Sequence, residues 1–245
     1  MPPWLSLGTQ QQLASLLGAY VARDDETEAA LRTLLPALFG ALTTGQAALL
    51  QGPARSGKSH LLAVLALLGE YPAQWHVFLE THPHFTALHQ TLRPEGQYLI
   101  VPVPLEEHRG QEERLENIVF DRTERELSRE RYNVHLPLSA ESYALDLIER
   151  HALPRYRQEL NEHVRQHVGG FSSWEQLRDR RPEESITVAQ IVARQIGYPL
   201  DFRQSRTERL SRLMQILPQA GCRGVVWLLD DLSGFLAAAG PKAAH

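Results

Sequence analysis

Two periods of apolar residues run along the chain and predict a mixture of helices and strands. Residues 7–22 and 24–42 carry leucine and alanine at intervals of three and four, the spacing of a helix with one buried face. Short apolar runs bounded by glycine, proline or charged residues are instead typical of buried parallel strands. The strand candidates are residues 47–51, 76–79, 98–103 and 224–229. The pattern predicts an α/β fold with a mostly parallel sheet flanked by helices.

Helical spacing dominates the rest of the chain. Helices are expected at 58–70 and 84–92, on either side of the second strand candidate. Residues 111–221 are polar and charge-dense, and we interpret them as a large, mainly helical insertion. Helical spacing recurs there in the segments 111–131, 139–151, 154–168, 184–196 and 205–217. The predicted organisation begins with an N-terminal helical segment at 1–44. Two halves of one sheet-containing domain follow at 45–110 and 222–245, and the insertion at 111–221 separates them.

Composition narrows the class of protein. The 245 residues carry a net charge of −4, so bulk charge points to neither a nucleic acid nor a membrane as partner. The single cysteine, Cys222, excludes an internal disulfide framework, and no secretory signal or membrane-length apolar run is visible. We therefore expect a cytoplasmic protein. Of the 25 basic residues only Lys58 and Lys242 are lysine, which suggests a specific chemical role for Lys58, inside the chain.

Residues 52–59, Gly-Pro-Ala-Arg-Ser-Gly-Lys-Ser, match the complete P-loop pattern G-x-x-x-x-G-K-[S/T]. Gly52 and Gly57 allow backbone angles that turn N–H groups towards phosphate oxygens, and the following helix directs its N-terminus at the same anion. Lys58 is expected to contact the β- and γ-phosphates and Ser59 to bind Mg²⁺. Further binding residues are expected at Pro53, Ala54, Arg55, Ser56 and His60. The motif predicts a nucleoside triphosphate ligand, and the lack of an N-K-x-D sequence favours ATP over GTP.

Two consecutive acids follow the last strand candidate. Open α/β sheets bind ligands at the carboxyl ends of their strands, so Asp230 is the expected second magnesium ligand. Asp231 occupies the next position, where a general base that orients the attacking water is often found. Many ATPases carry glutamate there, and aspartate is shorter by one methylene, which predicts slow hydrolysis. The alternative for Asp231 is a solvated acid that caps the following turn.

Other polar clusters are weaker candidates. Glu106, Glu107 and Arg109 follow the strand at 98–103 and so are expected at the ligand-binding edge of the sheet. Arg109 has the chemistry to contact phosphate or a partner, and a surface role is the alternative. His163 and His167 are spaced to share a helix face, but with no acid or cysteine in a metal-binding pattern they are interpreted as a solvated pair.

The predicted sheet is incomplete. Too little chain follows Asp231 to supply the further strands and helical lid of AAA+-like ATPases. We expect a fragment of a larger protein, and the alternative is a sheet completed by another chain, since an open sheet edge favours association. Simple βαβ units are short, so roughly 100 residues of insertion separate Lys58 from Asp230. In this interpretation 45–110 is the P-loop half of a nucleotide-binding domain, and 222–245 is the Walker B strand with a truncated tail.

Four segments together resemble a known family. They are residues 52–62, the strand and turn 101–110, the helix at 112–131 and the stretch 227–236, Trp-Leu-Leu-Asp-Asp-Leu-Ser-Gly-Phe-Leu. The combination resembles the N-terminal part of the large P-loop ATPases of bacterial phage-defence systems, of the BREX and phage-growth-limitation type. Family members carry an Asp-Glu-Leu core in the last stretch, whereas this chain has Asp231 in place of the glutamate. The resemblance implies an ATPase subunit of a DNA-linked defence complex, although no residue indicates DNA binding directly.

The sequence therefore favours an ATP-binding, magnesium-dependent P-loop ATPase domain. Lys58 would hold the phosphates, Ser59 and Asp230 the magnesium ion, and Asp231 the attacking water. An alternative from another class is a nucleotide-dependent interaction or switch module with little turnover of its own, which the aspartate at the base position favours. Apart from ATP, the expected partners are other protein subunits or the missing remainder of the chain.

Overall fold

The computed structural model describes residues 17, 20, 25–40, 45–52, 57–92, 97–110 and 114–239. These residues form a mixed α/β structure that is mostly helical and contains a two-stranded parallel sheet. The α-helices, in chain order, are α1 (Asp25–Phe39), α2 (Lys58–Glu70), α3 (Trp75–Thr81), α4 (Thr86–Leu92), α5 (Leu115–Leu127), α6 (Ala140–Leu147), α7 (Leu153–His167), α8 (Trp174–Arg180), α9 (Pro182–Gln195), α10 (Arg206–Ile216) and α11 (Leu232–Ala239). Short 3-10 helices cover Pro72–Gln74, Pro83–Phe85 and Leu105–His108, and a π-helix covers Ile148–Ala152.

The sheet consists of β1 (Gln97–Pro104) and β2 (Cys222–Asp230), which run parallel. Their register pairs Leu99 with Val225 and Pro104 with Asp230. Two of the strand predictions, 98–103 and 224–229, are therefore confirmed. Because parallel strands end at the same edge of a sheet, this pairing brings the residues that follow β1 next to those that follow β2.

Alternation along the strands gives the sheet two buried faces. Tyr98 and Ile100 of β1, with Val226 and Leu228 of β2, pack against leucine and aromatic side chains of α1, α2 and α3. The intervening strand residues pack on the opposite face against α5, α10 and α11. The period of two thus places one set of apolar residues against α1, α2 and α3 and the other against α5, α10 and α11.

The prediction of a strand at 76–79 is wrong, because these residues lie inside α3. Trp75 and Phe78 are three residues apart, so a helix turns both towards the same side, and both are buried in the core beneath α1 and α2. The stabilisation gained by burying two large aromatic rings together outweighs the local preference of this short segment for a strand.

The prediction of a buried strand at 47–51 is also wrong. Residues 45–52 belong to neither strand of the sheet, and they are largely exposed to solvent, with Leu49 70% exposed. A short apolar run forms a strand only when a neighbour satisfies its N–H and C=O groups, and the ladder described here joins β1 and β2 alone. Leu50 is the residue of this segment that contacts the core.

The helix predictions agree better with the structure. The segments at 24–42, 58–70 and 84–92 contain α1, α2 and α4, and each of the five segments in 111–221 overlaps a helix to within two residues at its start or contains it. The short helix α8 was not predicted. The helix predicted at 7–22 falls outside the described residues except for Leu17 and Tyr20, which are both buried.

The helices of 111–221 divide into two groups by what they cover. Helices α5 and α10 pack on the sheet, where the indole N–H of Trp227 donates a hydrogen bond of 2.9 Å to the Thr123 hydroxyl. Helices α6–α9 form a separate apolar core, which we call the four-helix cluster. Trp174 lies fully buried in this cluster, and its indole N–H donates to the Ser185 carbonyl at 2.9 Å.

The four-helix cluster is attached to α5 through Glu124. One carboxylate oxygen of Glu124 accepts hydrogen bonds of 3.0 Å from the backbone N–H groups of Leu138 and Ser139 and of 2.6 Å from the Ser142 hydroxyl. These contacts fix the chain that enters α6. In the part of the chain that the structure describes, no helix combines the length and apolar character required to cross a membrane.

Candidate functional site

The P-loop glycine before α2 adopts the conformation that the motif requires. Gly57 has φ 85° and ψ 6°, in the left-handed region that a side chain disfavours. Its carbonyl accepts a 2.9 Å hydrogen bond from the Leu61 N–H, so the helix begins at Lys58. Among the described residues no side chain caps this helix, whose N-cap residue is Gly57, and its first turn contains no acid. The N-terminal N–H groups and the positive end of the helix dipole therefore remain available to an anion.

Lys58 contacts the first residue of the motif, Gly52. Its ammonium Nζ donates a 2.9 Å hydrogen bond to the Gly52 carbonyl, so the two fixed ends of the P-loop motif are joined by a side chain. This contact holds a positive charge beside Gly52, at the start of α2. The intervening residues Pro53, Ala54, Arg55 and Ser56 lie outside the described part of the chain, and their predicted phosphate contacts stay predictions.

Ser59 and Asp230 meet although 171 residues separate them. The Ser59 hydroxyl donates to the Asp230 carboxylate, with 3.2 Å between Oγ and Oδ1. Ser59 is placed by the first turn of α2, and Asp230 by the last residue of β2. A hydroxyl and a carboxylate side by side form an oxygen donor set of the kind that Mg²⁺ prefers. The two residues expected to bind the metal are therefore brought together.

Asp231 immediately precedes α11, and its carboxylate lies beside Gly234 in the first turn of that helix. Its backbone carbonyl accepts a hydrogen bond of 3.1 Å from the Phe235 N–H and so starts α11, but its carboxylate pairs with Arg109. Arg109 Nε donates to Asp231 Oδ2 at 2.7 Å, and Nη2 donates to the same oxygen. The Asp231 backbone has φ 61°, a left-handed conformation that aspartate tolerates better than most residues.

The Arg109–Asp231 ion pair was not predicted, although its position follows from the topology. Arg109 comes directly after the 3-10 helix that follows β1, and Asp231 directly after β2. Because the two strands end together at Pro104 and Asp230, residues shortly beyond either strand are neighbours. We call this end of the sheet, with residues 57–60, 105–110 and 230–234, the carboxyl edge.

The remaining predicted residues are arranged as follows. Glu107 pairs with Arg122 of α5 at 2.5 Å, and Glu106 is exposed. His60 lies exposed next to Ser59, and its ring stands edge-on to that of Tyr20 with 5.2 Å between ring centroids. None of these contacts adds a ligand to the Ser59–Asp230 pair.

The His163–His167 pair lies away from the carboxyl edge, on α7. Its two rings are 4.5 Å apart between centroids. Partial burial, followed by the neighbouring His167, holds the pKa of His163 below its usual value. Among the described residues no three side chains of His, Cys, Asp or Glu converge as a metal site. A magnesium ion held with a nucleotide needs only one or two carboxylates, since phosphates and water supply its other ligands.

No protein-family model, curated protein or solved structure matches this chain.

Proposed function

We propose that this chain binds a magnesium–nucleoside triphosphate, with ATP as the nucleotide, at its carboxyl edge. The observation that carries the proposal is the Ser59–Asp230 hydrogen bond of 3.2 Å, which joins the P-loop helix to the end of a parallel strand. Chance would rarely bring the motif serine to the one acid chosen for it across 171 residues. A P-loop NTPase fold is the finer interpretation of this mixed α/β structure that the contact supports.

Each residue would contribute a distinct interaction. The N–H groups at the start of α2 and the Lys58 ammonium would hold the phosphate oxygens. The Ser59 hydroxyl and the Asp230 carboxylate would bind magnesium, which supplies a positive charge that offsets the charge of the phosphates. Asp231, one residue further, would accept the proton of the attacking water. The carboxyl edge thus contains a phosphate-binding group, a metal-binding pair and a base candidate.

Binding is tested by comparing the two lysines of the chain. Magnesium–ATP is titrated into the wild type, Lys58→Ala and Lys242→Ala. We expect Lys58→Ala to weaken binding by about 10- to 100-fold, the range for a charge-assisted hydrogen bond, and Lys242→Ala to leave it unchanged. Equal affinity in all three proteins would contradict the proposal.

The Arg109 contact favours a second candidate, a nucleotide-dependent switch module with little turnover of its own. A carboxylate that accepts two hydrogen bonds from one guanidinium is less available as a base than a carboxylate facing water. A measurement of phosphate release from ATP distinguishes the two candidate functions. An ATPase domain should lose turnover in Asp231→Asn while it keeps nucleotide binding; a switch module should show negligible turnover in the wild type and unchanged binding in the variant.

The family resemblance leads to a wider proposal, that this domain belongs to the ATPase of a DNA-linked phage-defence complex. Its support is the stretch 227–236, in which Trp227 anchors β2 to α5 and Asp230 meets Ser59. Duplex DNA is tested as a partner by mobility shift with and without magnesium–ATP. Nucleotide-dependent retention of DNA would support this wider role, and no retention under either condition would argue against DNA contact by this chain.

A further inference from the structure

Arg109 brings a second permanent cation to the carboxyl edge, where Lys58 provides the first. The guanidinium lies on the Asp231 carboxylate, and Asp231 adjoins Asp230, the acid that meets Ser59. Contacts therefore run without interruption from the P-loop helix through both acids to Arg109. The P-loop reading of the sequence places the phosphates at the start of this series, so the terminal phosphate would lie nearest the acids.

The ion pair occupies space that a side chain at position 234 would fill, and Gly234 has none. A Cβ atom at position 234 would lie 2.4 and 2.6 Å from the two carboxylate oxygens of Asp231 and 2.7 Å from Arg109 Nη2. Real Cβ atoms do not approach that closely, so any larger residue forces the two side chains to move. The pair thus occupies a position that the first turn of α11 leaves open only because residue 234 is glycine.

The Arg109–Asp231 pair is well placed to exchange partners. Arg109 is 46% exposed and Asp231 28% exposed, and ion pairs that solvent reaches contribute little net stability. Phosphate and carboxylate oxygens are recognised by the same planar fork of N–H donors, which makes a phosphate group a direct competitor for the guanidinium. Transfer of Arg109 from Asp231 to a phosphate would also leave the carboxylate available to a water molecule.

We propose that Arg109 is a binding residue for the terminal phosphate of the nucleotide, and that Asp231 competes with that phosphate for it. The inference rests on the proposed function, because it takes nucleotide binding at Lys58 and Ser59 as given. It adds a specificity that this function lacks: Arg109 should distinguish a nucleoside triphosphate, whose terminal phosphate is the γ-phosphate, from the diphosphate, which has no γ-phosphate.

The test is the ratio of affinities for a non-hydrolysable ATP analogue and for ADP, measured by calorimetric titration with magnesium. Arg109→Gln keeps a polar side chain and removes the charge. Arg125→Gln is the matched control, because Arg125 also forms an exposed ion pair with an aspartate, Asp121, at 2.9 Å. We expect Arg109→Gln to weaken binding of the triphosphate analogue about tenfold or more with ADP unchanged, and Arg125→Gln to change neither.

Two further variants separate the charge of Arg109 from its pairing with Asp231. Asp231→Asn removes the competitor, and Gly234→Ala displaces both side chains of the pair while both charges remain. Both should keep or raise the affinity for the triphosphate analogue, whereas Arg109→Gln lowers it. Thermal unfolding without nucleotide checks that each variant is folded.

The outcomes distinguish the two proposals. If wild type binds nucleotide and Lys58→Ala does not, but wild type and Arg109→Gln have the same ratio of triphosphate to diphosphate affinity, only the role of Arg109 is overturned. Wild-type protein that binds neither nucleotide overturns the proposed function and this inference with it. A selective loss of triphosphate binding in Arg109→Gln supports both.

Discussion

The four-helix cluster and the carboxyl edge are held together by different kinds of interaction. The cluster is an apolar core, with Trp174 and Leu177 fully buried and neighbours from four helices around them. The carboxyl edge is polar and partly exposed, and a few polar contacts, the Ser59–Asp230 hydrogen bond and the Arg109–Asp231 ion pair, define it. Substitutions in a densely packed apolar core lower the free energy of unfolding strongly, whereas exposed polar contacts contribute little to folding. The difference separates residues that keep the protein folded from residues proposed to bind ligand.

The largest effect is expected in the four-helix cluster. Trp174→Ala removes a fully buried indole ring and its hydrogen bond to Ser185, so it should lower the free energy of unfolding by about 3–5 kcal/mol. Ile191→Ala, at a 39% exposed position of α9, is the control and should cost about 1 kcal/mol or less. Chemical denaturation measures both. A loss at Trp174 no larger than that at Ile191 would show that the cluster is not a packed core.

A pH-dependent effect is expected in α5, a helix that packs on the sheet. Glu126 of α5 is buried, and this burial raises its pKa from 4.5 to about 7, with Arg129 acting against the rise and Glu70 adding to it. Below pH 4.5 the carboxyl is protonated in both the folded and the unfolded protein. Between pH 4.5 and 7 only the folded protein keeps the proton, so raising the pH destabilises the fold by up to about 3 kcal/mol.

Glu126→Gln should abolish this pH dependence, because glutamine has no proton to lose. Unfolding by denaturant at pH 5 and at pH 8 measures the difference for wild type and variant. Glu130→Gln, at an exposed site on the same part of the chain, serves as the control and should behave as wild type. An identical pH profile for wild type and Glu126→Gln would contradict the assignment of the elevated pKa to Glu126.

The smallest effect is expected before the P-loop, and it decides between the sequence prediction and the structure. Leu49 is 70% exposed in the segment 45–52. Leu49→Gln should therefore change the free energy of unfolding by about 0.5 kcal/mol or less. If Leu49 lay in a buried strand, the same substitution would instead lower the free energy of unfolding by about 2 kcal/mol or more. A large loss in denaturation experiments would restore the strand predicted at 47–51.

The same contrast explains which parts of the fold the sequence predicted. Apart from α8, the α-helices of the 111–221 range follow from local spacing, because a helix satisfies its own backbone hydrogen bonds. Strands depend on partners that are distant in sequence, so the run at 47–51 predicts a strand that nothing in the described sheet pairs with. Residues 76–79 form a helix because this conformation buries Trp75 and Phe78 together. That burial is a tertiary effect, which the local sequence pattern does not contain.

The candidate site divides in a similar way. Ser59 and Asp230 are found together as the motif and the strand-end rule predict, since both depend on recognisable local patterns. The partner of Asp231 was not foreseen, because an ion pair between Arg109 and Asp231 requires the relative register of β1 and β2. Gly234 had no signal in the sequence at all, since its importance lies in what surrounds its missing side chain.

The most direct test of the central claim is the energetic coupling between Ser59 and Asp230 in nucleotide binding. Magnesium–ATP and metal-free ATP are titrated into wild type, Ser59→Ala, Asp230→Asn and the double variant. If the two residues hold one magnesium ion, each single variant should lose most of the magnesium-dependent affinity. The double variant should then lose little more, because residues that act as a unit are not additive. Independent, additive losses, or affinities that do not depend on magnesium in any of the four proteins, would contradict the account.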